Sequence, residues 1–565
     1  MPLRSEPALH LLLLVALCSV LYFPYLGSTP FFDKGEPREA LAVQDIVQRG
    51  EWLVPLKRAT DIPSKPPLLH WSAALVTKMT GSLNEVTIRF PSTFYAILGV
   101  LLVYWLGRKM FDGPTALLGG AILATSMIYQ DQALNARVDM TLCFFVTAGL
   151  VLFYGIYRGY LENPLWLYVF YTVVGVGTLA KGPLSVVLTA LVAGSFVLVE
   201  RRWDMIRRFC FHPGVVLMLI LATGWYVVAV IRGGEGFFDR QIVEENLSRF
   251  VGDAGHNHPV YYYAPYLFSQ GMPWALFFPL LLWDVFRTGL RADDGRLYLK
   301  LWVLVMFVFL SISVGKRPVY LLPLYPALAL LLAAWFYKAD AGGNVRTIGY
   351  KAIACFTMLI GALLLIITTG ALWNQDQGWF FAPIEALLKP KDRANAAALR
   401  NQLDDFGWTF TLVALIEAGL WFSLARSLWL GKMRTVAHQL LLVSFFNAFL
   451  GWKVVMPAIA QSKSYRDFMA KVNEIVKPND KLFLYGPFNS DSVVFYRGSV
   501  IEWLNQPAEL VAWKDSSANG YLIMPVQSLT DFPRAAGSLP PPLLESAGKG
   551  PEGDAPLVLV RAALR

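Results

Sequence analysis

Long apolar runs separated by short polar stretches occupy most of this chain. A helix needs about 20 mostly apolar residues to cross a bilayer. Runs of that kind fall near 9–26, 88–106, 114–130, 138–157, 165–181, 183–199, 213–231, 263–283, 301–315, 318–337, 352–373, 408–425 and 437–457. The pattern predicts an α-helical polytopic membrane protein with about thirteen transmembrane helices. Several runs carry Pro or Gly, which membrane helices tolerate. The first run has no small-x-small cleavage site and leads straight into FFDKGEPREA, so it reads as a retained helix rather than a signal peptide.

The polar stretches are of two kinds. With the amino terminus inside, the segments 1–7, 107–112, 158–164, 200–212, 284–300, 338–351 and 426–436 hold 18 Lys/Arg against nine Asp/Glu. That excess satisfies the positive-inside rule. An odd number of spans then places the carboxyl terminus outside. The outside segments are a first loop at 27–87, a second at 232–262, a third at 374–407 and a terminal piece from 458 onward. Within that piece KLFLYG and GYLIMP read as short buried strands and SYRDFMAKVNEIV as an amphipathic helix. The predicted organisation is a transmembrane domain over 1–459 and a small α/β extracytoplasmic domain over 460–565.

Composition narrows the class further. Of 565 residues, 56% are hydrophobic and 16% charged, with a mean hydropathy of +0.47. Ordinary globular chains are about 45–50% apolar and about 25% charged. A soluble enzyme, a disordered tail and a fibrous repeat are excluded. The net charge of +9 follows from the inside segments and needs no nucleic acid. Cys18, Cys143, Cys210 and Cys355 lie in or beside apolar runs without C-x-x-C spacing, so neither a disulfide framework nor a structural zinc site is indicated.

Candidate chemistry therefore sits at the edges of the spans, and six polar clusters fall on the outer face. Asp33 and Glu36 follow the first helix, either as site carboxylates or as a helix cap with Arg38 as ion-pair partner. The ALAVQDIVQRGEWLVP stretch after them has the spacing of an interfacial helix on the outer leaflet. Lys65, in the Pro-rich turn PSKPP, suits a phosphate or a snorkelling position. Arg137 and Asp139 lie where the fourth span begins, and Lys181 stands at the apex of a Lys-Gly-Pro turn. His256 and His258 lie in the second loop, where an HxH pair is weak evidence for a metal. Lys316, Arg317 and Tyr320 lie between two later spans. Lysines and arginines gathered with carboxylates at one leaflet point to an anionic lipid headgroup and an activated nucleophile. Neither a Walker loop nor G-x-G-x-x-G is present, so a nucleotide donor is unsupported.

The order GEPREALAVQDIVQRGEWLVPL, PSKPPLLHW, ARVDM, LAKGP and GKRPVYLLPLYP resembles the GT-C class of membrane glycosyltransferases. It is most similar to the branch of the aminoarabinose transferases of lipid A (ArnT-like) and the protein O-mannosyltransferases, over about residues 8–460. The resemblance implies sugar transfer from a polyprenyl-phosphate carrier, outside the membrane and with inversion. The acceptor would be lipid A, another glycan or a protein, and membrane lipids would be the other partners. It implies Asp33, Glu36 and Asp139 as catalytic carboxylates. Lys65, Lys181, Lys316 and Arg317 would bind the carrier phosphate, and Arg38, Arg137, His256, His258 and Tyr320 would contact substrate or support the site. Gly35 stands where the family commonly has Asp, with Asp33 two positions earlier. Ser64 occupies a place that is often Glu in the aminoarabinose branch, so a metal site drawn there by analogy is incomplete. No cofactor is required on this reading, a divalent cation being the one candidate. The competing class is a transporter or flippase for lipids or small anions, though no internal repeat supports it.

Overall fold

In the computed structural model the described residues are 6–58, 61–248, 258–289, 295–341, 347–373, 386–388, 390–515, 520–531, 539–550 and 556–562. Eight described helices are long and apolar enough to cross a membrane, beginning with Glu6–Tyr25, Glu85–Met110 and Val138–Tyr157. Three more, Gly113–Thr125, Leu165–Lys181 and Leu184–Val199, are apolar but shorter. Their ends follow local chemistry. Asn84 and Thr87 form a reciprocal capping box at the start of Glu85–Met110. The Asp112 carboxylate accepts the Thr115 N–H at 2.7 Å at the start of Gly113–Thr125.

Three expected features differ. The 263–283 run is not one span but three short helices, Tyr263–Gln270, Trp274–Phe277 and Phe278–Thr288. Gly271, Met272 and Pro273 interrupt it, and Pro273 supplies no N–H to an α-helical ladder. The third outer segment also holds more structure than a loop, because the helix Pro390–Trp429 begins inside it.

The first outer loop folds into two helices, Gly35–Arg49 and Leu68–Thr80, each closed by a glycine in the left-handed region, Gly50 and Gly81. The first of these was expected to lie on the leaflet surface. It is instead buried along most of its length, Glu36, Glu39, Gln44 and Asp45 included. The cover is the carboxyl-terminal domain. A five-stranded sheet there has the order β2-β1-β3-β5-β4, with β1 Lys481–Tyr485, β2 Glu502–Leu504, β3 Gly520–Pro525, β4 Leu544–Glu545 and β5 Leu557–Arg561. β2, β1 and β3 run parallel, and β5 and β4 close the sheet antiparallel. Phe31, Leu41 and Ile46 of the first loop share one hydrophobic core with Tyr465, Phe468 and Phe495 of this domain. The amphipathic pattern of Gly35–Arg49 is thus satisfied by protein rather than by lipid.

Candidate active site

The first helix ends at Tyr25, and the first loop leads from it through Phe31-Phe32-Asp33. The Asp33 Oδ1 accepts the N–H groups of Gly35 and Glu36, each at 2.8 Å, and so ends the turn that starts Gly35–Arg49. Its Oδ2 is ion-paired with Arg137. Burial alone would raise the Asp33 carboxyl. The Arg137 guanidinium and the two backbone donors outweigh it and hold the group below the usual carboxylate range. Arg137 is itself kept charged against burial by Asp33, Asp139 and Glu36. A Cβ at Gly35 would overlap the Arg137 guanidinium, so a larger residue there would displace Arg137 from its place beside Asp33.

Glu36 points the other way and is fully buried. Both of its oxygens accept from Arg89, at 2.7 and 2.8 Å, and Oε1 also accepts the Ala136 N–H at 2.9 Å. Arg89 in turn donates to the carbonyls of Leu26 and Thr29, each at 2.8 Å. This buried fork ties the end of the first helix, the Gly35–Arg49 helix and the 133–137 turn into one unit. Arg38 pairs with Glu39 rather than with Asp33 or Glu36. Glu39 also bonds His70 at 2.8 Å; burial opposes its ionisation, and Arg38 and His70 keep its carboxyl well below the usual range.

Asp139 opens the Val138–Tyr157 helix and is ion-paired with Lys181, the last residue of Leu165–Lys181. The Lys181 ammonium lies 4.0 Å from the centre of the Tyr320 ring, a cation–π contact. Lys65 lies within electrostatic reach of Asp139. Lys316 is buried and donates to the carbonyls of His258, at 2.9 Å, and Ser313, at 2.5 Å. It therefore fastens the second outer loop to the turn that precedes Pro318–Leu324. The Gln241 amide bonds the Pro63 carbonyl, bringing the same loop against the Lys65 turn.

These segments enclose a cavity of about 390 Å³. Asp33, Asp131, Arg137, Asp139 and Arg317 line it with the amides of Gln132, Asn135 and Gln270, and Phe32, Val319 and Met456 supply apolar wall. The arrangement can seat an anionic group against its cations while a carboxylate faces the nucleophile. Among the described residues, no group of three or more His, Cys, Asp or Glu side chains could hold a metal ion.

Residues 64–227 match the family model described as dolichyl-phosphate-mannose-protein mannosyltransferase. The undecaprenyl phosphate-alpha-4-amino-4-deoxy-L-arabinose arabinosyl transferase of Edwardsiella ictaluri is 27% identical over 373 residues, 64% of this chain and 65% of that protein. The Enterobacter protein of the same name is 27% identical over 395 residues, 68% of this chain and 69% of its own length. The crystal structure of ArnT from Cupriavidus metallidurans bound to undecaprenyl phosphate has a TM-score of 0.77 to this fold. It is 19% identical and covers 99% of both chains.

The chain is similar to the ArnT-type glycosyltransferases and shares the fold of their solved member.

It is accordingly a multi-pass inner-membrane protein, with the GT-C helical body and an added sheet domain. Within this GT-C body the sequence-predicted residues separate into two sets. Asp33, Arg137, Asp139 and Arg317 line the cavity, and Lys181 and Tyr320 are joined to it through Asp139. Glu36, Arg38 and Lys316 hold neighbouring segments together, and His258 stacks on Tyr262 with 4.1 Å between ring centres. His256 lies outside the described residues. Sequence reasoning missed Arg89, Asp131, Gln132 and Gln270. Arg89 was visible as a lone charge inside an apolar run, a position that signals function or a buried partner. Asp131 and Gln132 sit among polar neighbours, and Gln270 is an uncharged residue at a Gly-Met-Pro break, so none carried such a mark.

Proposed function

We propose that this chain takes a sugar from a polyprenyl-phosphate carrier and transfers it to an acceptor on the outer face of the cytoplasmic membrane. The amino terminus would then be inside and the carboxyl-terminal domain outside. The carrying observation is the cavity itself, where Asp33, Arg137, Asp139 and Arg317 meet from stretches far apart in sequence. The relatives' names supply the leading candidates, an aminoarabinosyl undecaprenyl phosphate as donor and, from the resemblance, lipid A as acceptor; another glycan or a protein hydroxyl is the alternative.

On this reading the acceptor oxygen attacks the anomeric carbon as the carbon–oxygen bond to the carrier phosphate breaks, with inversion. Asp33, kept ionised by Arg137, takes the proton of the nucleophile. The leaving carrier phosphate gains negative charge, which Arg317, Lys65 and Lys181 stabilise, with Lys316 adding its charge from behind the Arg317 turn. Asp139 holds Lys181 in place, and Glu36 with Arg89 positions the Asp33 and Arg137 segments. Among the described residues no cluster of His, Cys, Asp or Glu offers a ready seat for a divalent cation.

The test uses purified chain in nanodiscs with a panel of radiolabelled undecaprenyl-phosphate sugars, following carrier-phosphate release with and without a crude membrane acceptor fraction. Release should depend on the acceptor fraction and fall by about 100-fold or more in Asp33→Asn and Lys65→Ala. Full activity in Asp33→Asn would overturn the base assignment. Passage of intact donor across the bilayer with no release would favour a transporter.

A further inference from the structure

Two amide side chains on the cavity wall remain once the charged groups have their parts. Gln132 lies in the Met127–Ala133 helix, and Gln270 ends the Tyr263–Gln270 helix. The two elements are joined nearby: the Met127 N–H donates to the Met272 carbonyl at 3.2 Å, and the Trp274 indole donates to Thr125 at 2.9 Å. Both glutamines line the same cavity. The Oε1 of each is buried and has no hydrogen-bond partner among the described residues.

The orientation of Gln132 is set by its other end. Its Nε2 donates at 2.7 Å to Asp131, which as an ionised carboxylate accepts and does not donate, so the carbonyl oxygen faces away. Asp131 is held in turn by Asn135, whose amide donates to its side chain at 3.0 Å and to its backbone carbonyl at 2.8 Å. Gln132 is only 6% exposed, so bulk water offers its carbonyl little compensation. Folded proteins seldom keep a buried carbonyl without a donor, and a ligand O–H or N–H aimed at it resolves the deficit. Phosphate oxygens are acceptors and cannot do this. The cavity is therefore divided: guanidinium groups for the phosphate, amide carbonyls for a group that donates.

We propose that Gln132 and Gln270 form the subsite that reads the hydroxyl groups of the transferred sugar, and so select which glycosyl group is accepted. This rests on the carrier-dependent reading above. Neither residue touches the leaving phosphate in this scheme, so their loss separates sugar recognition from carrier binding.

The experiment measures binding to the full chain in nanodiscs of two probes, bare undecaprenyl phosphate and the same carrier bearing 4-amino-4-deoxy-L-arabinose. Wild-type protein should prefer the glycosylated carrier. Gln132→Met and Gln270→Met should each erase at least about ten-fold of that preference and leave bare-carrier affinity within about two-fold. Gln270→Met is the control for folding, because it leaves the bond between Gln132 and Asp131 in place. Unchanged preference in both variants overturns the subsite. Equal loss of both probes overturns it too, since the glutamines would then be supporting the cavity as a whole. Wild-type protein that binds neither probe overturns the carrier reading, and the subsite falls with it.

Discussion

Three aspartates face one cavity, and their environments set them apart. Asp33 and Asp139 each have a cation in direct contact, whereas Asp131 is bonded to the amides of Gln132 and Asn135. Burial is the largest influence on Asp131 and pushes its carboxyl up to about 6; the Gln132 bond and Arg137 offset only part of it. The folded chain then takes up a proton near pH 6 that the unfolded chain takes up only near its ordinary value of 3.8. Between those values the folded state binds more protons, so this group's contribution to stability rises as pH falls. Asp131→Asn removes the dependence. Thermal unfolding in detergent should show the wild type gaining on the variant as pH is lowered from 7 to about 5, with the difference levelling off below about 4. Parallel curves for the two proteins would contradict the assignment. At this scale the charged residues at span edges were legible because charge near hydrocarbon is rare. The distinction between Asp33 and Glu36 was not. It depends on Arg89, 53 positions away from Glu36, which takes both Glu36 oxygens.

Among elements, the decisive contact is between the carboxyl-terminal domain and the first outer loop. The Tyr496 hydroxyl accepts the Phe31 N–H at 2.9 Å and donates to Glu85 at 2.9 Å. The Asp491 carboxylate, at the start of the same Asp491–Arg497 helix, accepts from Arg58 at 2.5 Å. Phe31 lies two residues before Asp33, so the sheet domain fixes the backbone that presents the proposed base. Tyr496→Phe leaves the Phe31 N–H unpaired and Glu85 without that donor. Stability should fall by about 1–3 kcal/mol, and the turnover of sugar transfer should fall with it while bare-carrier affinity stays unchanged. Thermal unfolding and the nanodisc transfer assay read the two effects separately. Normal turnover at reduced stability would mean the domain merely caps the fold. The spans and the small α/β domain were readable from periodicity, since lipid and a buried sheet each impose a simple pattern. The docking was not, because an amphipathic helix has the same pattern whether lipid or protein covers its apolar face. Leu68–Thr80 was not legible as a helix for another reason: LLHWSAALVTKMT is short, and it follows a run of prolines.

For the whole molecule, the proposed chemistry requires the cavity and the sheet domain to share the outer side, and the Arg-rich turn at 200–212 to lie inside. The short helix Trp203–Cys210 carries Asp204, Arg207 and Arg208 around a single buried Met205, as a helix at the inner surface would. Cys210, at its end, is exposed, whereas Cys18 and Cys143 are buried in the helical body. Cys355 is exposed too, but on the apolar span Ile348–Thr369, where lipid shields it from a charged reagent. A membrane-impermeant maleimide applied to a Cys355→Ala chain should therefore label Cys210 in inside-out vesicles and leave it unmodified in right-side-out ones. Adding Lys477→Cys, at an exposed turn of the sheet domain, should give the reverse pattern at the new site. Reversed labelling of both sites would put the cavity in the cytoplasm, with soluble nucleotide-linked sugars within reach. Arg137 and Arg317, which face the cavity, would then need another explanation than a lipid-linked donor delivered from the outer leaflet.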